Sequence, residues 1–346
     1  MPSNLAVFRA DGGPQLGLGH FRRCRTLADG LAKHGWAWMF AIDSAVTTPV
    51  VLRALAIAPS QIISLTGPQA DFARQIGGQL SSDADLLVID DYATNIDFAT
   101  ASRAWAQKIL VIDDLADRPF DADFLLNQNP GSTAKDYTDI VRPDCAFMLG
   151  GAFALLRDDI TAQRPPAAPQ AHFATPSSAR LLISLGATDP GDETSKLLNT
   201  IIKNFLEYKI DVVLSSSAPH LQRVAEIAKS MSHTSLHIDT DDMVSLIGNA
   251  DIAIGAGGTS SLERCCLGLP TVLIETASNQ QETIAALLNA GAGVVATDAN
   301  EAIAEVSRLL ADPIALSAMA KGAYQLCDGR GLARVIDTML STSPVS

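Results

Sequence analysis

"NLAVFRADGGPQLGLGHFRRC" (Asn4–Cys24) runs from an apolar stretch through a cluster of glycines into a segment of helical character. It reads as a strand, a glycine-rich turn and the opening of a helix, the order in which a parallel sheet hands its chain to a covering helix. Gly17, Gly19 and His20 lie at that seam. Glycine there permits positive φ and close approach of a ligand to the backbone. The helix start offers unpaired N–H groups and a partial positive charge suited to phosphate or another oxyanion. The dinucleotide fingerprint G-x-G-x-x-G is not met, because Arg22 takes its last position, and the G-K-[ST] of a Walker loop is absent.

His20 titrates near neutral pH and can accept a proton from water or a hydroxyl. It can equally cap the helix or bond a neighbouring carbonyl, and this segment alone leaves both readings open. Arg22, Arg23 and Arg25 can neutralise phosphate, but helical spacing sends them to different faces. At most one or two of them serve a site.

Outward from this seam, apolar runs alternate with helical-period stretches. "AWMFAID" (Ala37–Asp43), "LLVIDD" (Leu86–Asp91) and "ILVIDD" (Ile109–Asp114) read as buried strands, with "FRRCRTLADGLAKHG" and "NIDFATASRAWAQ" as helices between them. "TAQRPPAAPQAHFATPSSA" (Thr161–Ala179) has a linker's composition. Beyond it the alternation restarts with "RLLISLGATDP", "IDVVLSS", "SLHID", "DIAIGAGG", "TVLIET" and "GVVATD". The pattern predicts an α/β protein of two Rossmann-like, doubly wound domains facing across a cleft. The expected bounds are 1–160, a linker at 161–179, and 180–346 with a last helix that can cross back. Strand-end motifs are expected to converge on the cleft.

The length of 346 residues suits two domains, and 47% hydrophobic against 18% charged side chains is an ordinary globular balance. A net charge of −13 without a long basic run argues against a broad grip on nucleic acid. No basic leader with an apolar core and no stretch of membrane-spanning length is present, so a soluble cytoplasmic protein is expected. Cys24, Cys145, Cys265, Cys266 and Cys327 show no C-x-x-C spacing. Structural zinc and a disulfide framework are poor readings, and buried free thiols fit a reducing compartment.

A second glycine cluster, "IGAGGTSSLERCCLGLP" (Ile254–Pro270), again lies between strand and helix. Gly257, Gly258, Thr259 and Ser260 can wrap phosphate oxygens with N–H and O–H donors. Glu263, one turn on, can accept hydrogen bonds from both ribose hydroxyls, or can complete a capping box with Thr259 or Ser260. The number of glycines favours a ligand. Gly186 and Thr188 in "LGATDP" can approach the same phosphates, and Asn279 and Gln280 offer amides for sugar hydroxyls or N-acetyl groups.

Taken in order, "FRADGGPQLGLGHFRRCRTLA", "VIDDYATN", "VIDDLADRPFDADFLLNQN", "LGGAFALLRDDI", "LLISLGATDP" and "GGTSSLERCCLGLP…NQ" resemble one family across nearly the whole chain. It is that of the UDP-2,4-diacetamido-2,4,6-trideoxy-β-L-altropyranose hydrolases of the bacterial pseudaminic acid pathway, itself similar to GT-B glycosyltransferases. The resemblance implies two Rossmann-like domains with a UDP-sugar between them, and His20 as base. It also implies Tyr92 and Asn279 in the sugar pocket, Glu263 on ribose, and Gly258, Thr259 and Ser260 at the phosphates. Arg157 matches a family motif and is expected on the substrate or the cleft floor. Asp91 stands where the family often has histidine, which changes the polarity expected near the sugar, and Ala187 replaces a usual glycine.

The reaction implied is inverting attack of water on the anomeric carbon, releasing UDP and free sugar for nonulosonic (pseudaminic) acid synthesis. UDP is a good leaving group, so donors for its growing charge matter more than a strong general acid. Neither a cofactor nor a metal is expected; magnesium on the "VIDD" pairs is the lesser reading, and Asp113 and Asp114 are expected to order loops. The alternatives are a GT-B glycosyltransferase using a UDP-sugar donor and a non-catalytic nucleotide-sugar-binding protein.

Overall fold

The computed structural model of the protein describes residues 4–10, 12, 19–47, 52, 56–170, 178–204 and 206–341. The chain divides into two compact units, Met1–Leu155 with Arg330–Ser346, and Leu156–Gly329.

Unit 1 contains β1 (Asn4–Ala10), α1 (Gly19–Lys33), β2 (Trp36–Asp43), β3 (Ile62–Leu65), α2 (Phe72–Gln79), β4 (Ala84–Asp90), α3 (Ile96–Ser102), β5 (Ala106–Ile112), β6 (Phe124–Asn127) and β7 (Ala146–Leu149). Its sheet is parallel, in the order β3-β2-β1-β4-β5-β6-β7. Alternate residues of one strand feed opposite cores. Ala6, Phe8 and Ala10 of β1 pack with Phe21, Leu27 and Leu31 of α1, while Val7 packs with Phe72 and Ile76 of α2. Burial of both faces is why these strands read as unbroken apolar runs.

Unit 2 contains α4 (Asp158–Ala162), β8 (Arg180–Ser184), α5 (Glu193–Lys203), β9 (Lys209–Leu214), α6 (Leu221–Lys229), β10 (Thr234–Ile238), α7 (Met243–Asn249), β11 (Ile252–Ala256), α8 (Ser260–Leu267), β12 (Thr271–Ile274), α9 (Gln281–Asn289), β13 (Gly293–Val295), α10 (Ala299–Leu310) and α11 (Pro313–Leu326). Its parallel sheet runs β10-β9-β8-β11-β12-β13. The final helix, α12 (Gly331–Ser341), belongs to unit 1. Leu332, Val335 and Ile336 of α12 join the core beneath α1, where Gly30 leaves room for Ile336.

Strand order reverses between β1 and β4 in unit 1, and between β8 and β11 in unit 2. Those are the switch points at which open parallel sheets bind ligands beyond their carboxyl ends. The start of α1 and the motifs at the ends of β4, β8 and β11 occupy these positions.

Three details differ from the sequence reading. The helix expected over "NIDFATASRAWAQ" stops at Ser102. Trp105 turns into the core, where its indole N–H donates to the Ala73 carbonyl at 2.9 Å, and Ala106 already pairs with Ala84 in β5. The short strands β3, β6 and β7 carry too few residues to have stood out. The unit boundary falls at Leu156 rather than at 161–179. Arg164, in the proline-rich stretch, donates to the carbonyls of Cys266, Cys327 and Tyr324 at 2.6, 2.6 and 2.8 Å. Residues 171–177 of that stretch lie outside the described residues. Among the described residues no helix is long and apolar enough to cross a membrane, and all five cysteines are buried and free.

Candidate functional site

At the switch point of unit 1, α1 begins beside the end of β4. His20, in the first turn, is 7% exposed. Its Nδ1 lies 2.6 Å from Asp90 Oδ1, at the last residue of β4. One helical turn on, Arg23 grips the same carboxylate, with Nε to Oδ2 at 2.7 Å and Nη2 to Oδ1 at 2.6 Å. Its outer edge takes Asp114, after β5, through Nη1 at 2.9 Å and Nη2 at 2.8 Å. The Tyr92 hydroxyl donates to Asp114 at 2.9 Å, and Asn129 Nδ2 donates to it at 3.2 Å. The Tyr92 ring stands perpendicular to the imidazole, with centroids 4.6 Å apart.

A carboxylate can only accept, so Nδ1 of His20 carries the proton and Nε2 holds the free lone pair. Burial alone draws the imidazole pKa down, but the Asp90 carboxylate outweighs it and lifts the group above its ordinary 6.5. Burial likewise opposes ionisation of Asp90, and Arg23 followed by His20 overrides it, holding that carboxyl far below the usual range. Asp114 is lowered against its own burial chiefly by Arg23. Two ionised carboxylates thus face one guanidinium, and the surplus negative charge is what favours a proton on His20. Burial and then Asp114 push the Tyr92 phenol up, so it remains a donor.

Several expected ligand contacts have other work here. Arg23 is 3% exposed and its fork is filled by two carboxylates, so it positions Asp90 instead of meeting phosphate. Asp91, expected near the sugar, is fully buried. It pairs with Arg9 at 2.6 Å and accepts from Ala93 N and Thr94 Oγ1, both at 2.8 Å. Its carboxylate therefore orders the turn after β4. Arg157 is half-exposed, faces Asp159 at 3.2 Å, and precedes α4 in unit 2. Gly19 opens α1, whereas Gly17 lies outside the described residues. Asp113 orders its loop by accepting from Leu115 N, Ala116 N and the Tyr137 hydroxyl. Its neighbour Asp114, expected to do the same, belongs to the Arg23 network.

At the switch point of unit 2, Gly186 turns the chain after β8 at φ +101°, a conformation that favours glycine. Gly186 is exposed and Thr188 half-buried, while Asp189 accepts from Glu193 N and Thr194 N and so fixes the start of α5. At the end of β11, two glycines answer to packing. A Cβ on Gly255 would stand 2.6 Å from the Arg264 guanidinium carbon, and one on Gly257 2.5 Å from Ile284 Cγ1. Gly258 meets only Gln280 Nε2 at 3.8 Å, so it is the open one. The number of glycines therefore does not by itself indicate a ligand. Gly258, Thr259, Ser260 and Glu263 are half-buried, and Thr259 makes no side-chain capping bond. Gln280 Oε1 accepts from Gly257 N at 3.3 Å and Thr276 N at 3.2 Å, which braces the loop. The Asn279 side chain lies outside the described set.

Beneath this loop lies Arg264, which is 2% exposed. Its three hydrogen-bond partners are neutral: Thr271 Oγ1 at 3.2 Å, Ser260 Oγ at 3.3 Å and the Ala256 carbonyl at 2.6 Å. Among the described residues no group of three or more His, Cys, Asp or Glu side chains is placed to hold a metal ion.

Residues 183–323 match a family described as a protein of unknown function (DUF354). The chain is 28% identical over 198 residues to the Bacillus subtilis spore coat polysaccharide biosynthesis protein SpsG, a match spanning 55% of this chain and about half, 54%, of that protein. It is 23% identical over 286 residues to the Campylobacter jejuni UDP-2,4-diacetamido-2,4,6-trideoxy-β-L-altropyranose hydrolase, spanning 82% of this chain and 96% of that one. In fold it resembles Acinetobacter baumannii MurG, with a TM-score of 0.64 at 15% identity over 98% of this chain and 100% of that structure. Two Rossmann-like units of the GT-B kind are thereby established, and the resemblance that the ordered motifs carry to the UDP-diacetamido-trideoxyaltropyranose hydrolases is borne out at modest identity.

Proposed function

We propose that the protein is a UDP-sugar hydrolase that cleaves the anomeric C–O bond of a UDP-linked diacetamido-trideoxyhexose by inverting attack of water, for nonulosonic (pseudaminic) acid synthesis. The observation that carries this reading is the contact of 2.6 Å between His20 Nδ1 and Asp90. It leaves Nε2 as the basic nitrogen and fixes the ring, which is the arrangement a general base needs to take a proton from water. Asp90 then stabilises the imidazolium that forms. Arg23, clamped by Asp114, keeps Asp90 ionised and oriented.

The departing UDP carries the negative charge that develops. The strand-end turn of Gly257, Gly258, Thr259 and Ser260 is assigned to its phosphates: Gly258, Thr259 and Ser260 offer N–H and O–H donors at the start of α8, with Gly257 held to Gln280 beside them and Gly186 and Thr188 beside β8. Glu263 is assigned to the ribose hydroxyls, and Tyr92, Asn279 and Gln280 to the sugar. Similarity to the Campylobacter jejuni enzyme over nearly its full length supports this choice of substrate.

The test is turnover in oxygen-18 water without an acceptor, using UDP-linked diacetamido-trideoxyhexoses. The heavy atom is expected in the released sugar. Its appearance in UDP would mean attack at phosphorus, and UDP release only when an acceptor sugar is added would mean a glycosyltransferase.

A further inference from the structure

Three arginines among the described residues are buried: Arg9, Arg23 and Arg264. Arg9 has Asp91, and Arg23 has Asp90 and Asp114. Arg264 has no carboxylate within ion-pair distance among the described residues; its N–H groups go to two hydroxyls and a carbonyl. Burial pulls its pKa down to about 10 against the weaker through-space pull of Cys265 and Glu263, so it remains charged at neutral pH. An unneutralised buried charge destabilises a fold. Retaining one directly behind a strand-end loop calls for a compensating use.

The surroundings indicate that use. Ser260 accepts from Arg264 Nη1, which leaves its own O–H to donate elsewhere. The Ala256 carbonyl accepts from Nη2, which fixes the first peptide of the loop. One residue past Ser260, the Ser261 hydroxyl is buried with no hydrogen-bond partner. Gly255 is bare because its missing side chain is the space the guanidinium fills. The loop is thus moulded around a cation.

We propose that Arg264 supplies the protein's counter-charge for the ligand's diphosphate at the Gly255–Ser260 turn, acting from beneath the loop through Ser260 and the Ala256 peptide without touching the phosphates. This rests on the UDP reading given above and deepens it: affinity at this site is carried by the diphosphate, and the nucleoside adds to it independently of Arg264.

Calorimetric titration of the full-length protein and its Arg264→Met and Arg264→Lys variants with UDP and with uridine tests it. A unit charge a few ångströms behind the loop predicts that Arg264→Met loses roughly tenfold or more in UDP affinity, with uridine binding unchanged and Arg264→Lys retaining the preference for UDP. The ligand-free Arg264→Met protein should melt no lower than wild type, since a buried charge has gone. Equal weakening of UDP and uridine together with a lower melting temperature would make Arg264 a structural brace and overturn the proposal, as would unchanged UDP affinity. Should Arg264→Met fail to fold, Arg264→Lys decides: loss of its UDP preference refutes the electrostatic role. A wild-type protein that binds neither compound refutes the UDP reading itself.

Discussion

The two switch points handle charge in opposite ways. In unit 1, His20, Arg23, Asp90 and Asp114 form a nearly self-neutralising cluster in which the imidazole is the group with a decision to make. In unit 2, Arg264 holds a positive charge that has no carboxylate within ion-pair distance among the described residues. One arrangement is suited to moving a proton, because a small change in surplus charge moves the imidazole equilibrium. The other is suited to holding an anion, because among the described residues no carboxylate forms an ion pair with the cation. Similar topology therefore underlies two different electrostatic tasks.

The largest effect should come from removing the base. His20→Gln is expected to lower kcat by about 10²–10⁴-fold while leaving UDP affinity nearly intact, as read by steady-state UDP release and calorimetry. Wild-type turnover in that variant would end the assignment of chemistry to unit 1.

Asp90→Asn should follow, with a loss of roughly 100-fold, within the range seen when a catalytic histidine loses its orienting carboxylate. Here the pH profile is the sharper readout. In the wild type, activity should fall as pH drops through the raised His20 pKa, because the base must be neutral. Without the Asp90 carboxylate, burial and Arg23 are opposed only by the weaker pull of Asp114, and that limb should move to lower pH. A limb that stays in place would show that Asp90 does not control the imidazole.

Smallest is Glu263→Ala, expected to weaken UDP about tenfold, the scale of a lost charge-assisted hydrogen bond, with kcat little changed. Unchanged affinity would reduce Glu263 to a residue that shapes the start of α8, and would leave the diphosphate as the main handle in unit 2.

The switch-point geometry was legible because buried parallel strands announce themselves as apolar runs, and the glycines at their ends mark where the chain turns. His20 could be singled out by its place at a helix start. Its partners could not, since the "IDD" pairs after β4 and β5 look alike in sequence. Pleat alternation gives the two members of each pair different surroundings: Asp90 and Asp114 join Arg23, whereas Asp91 and Asp113 bind their own turns. Arginine in sequence also reads as a solvated charge, so neither the double clamp of Arg23 nor the burial of Arg264 was visible. The glycines at the end of β11 have a second use for a related reason: two of them make room for Arg264 and Ile284, which composition cannot convey.

The placement of α12 with unit 1 bears on how the polypeptide is made. Unit 2 is one continuous segment, complete before residue 330 is translated, whereas the apolar side of the helix bearing His20 waits for Leu332, Val335 and Ile336. A released chain ending at Gly329 would therefore hold all of unit 2 but leave that side of α1 uncovered, so the setting of His20 depends on the last segment having docked.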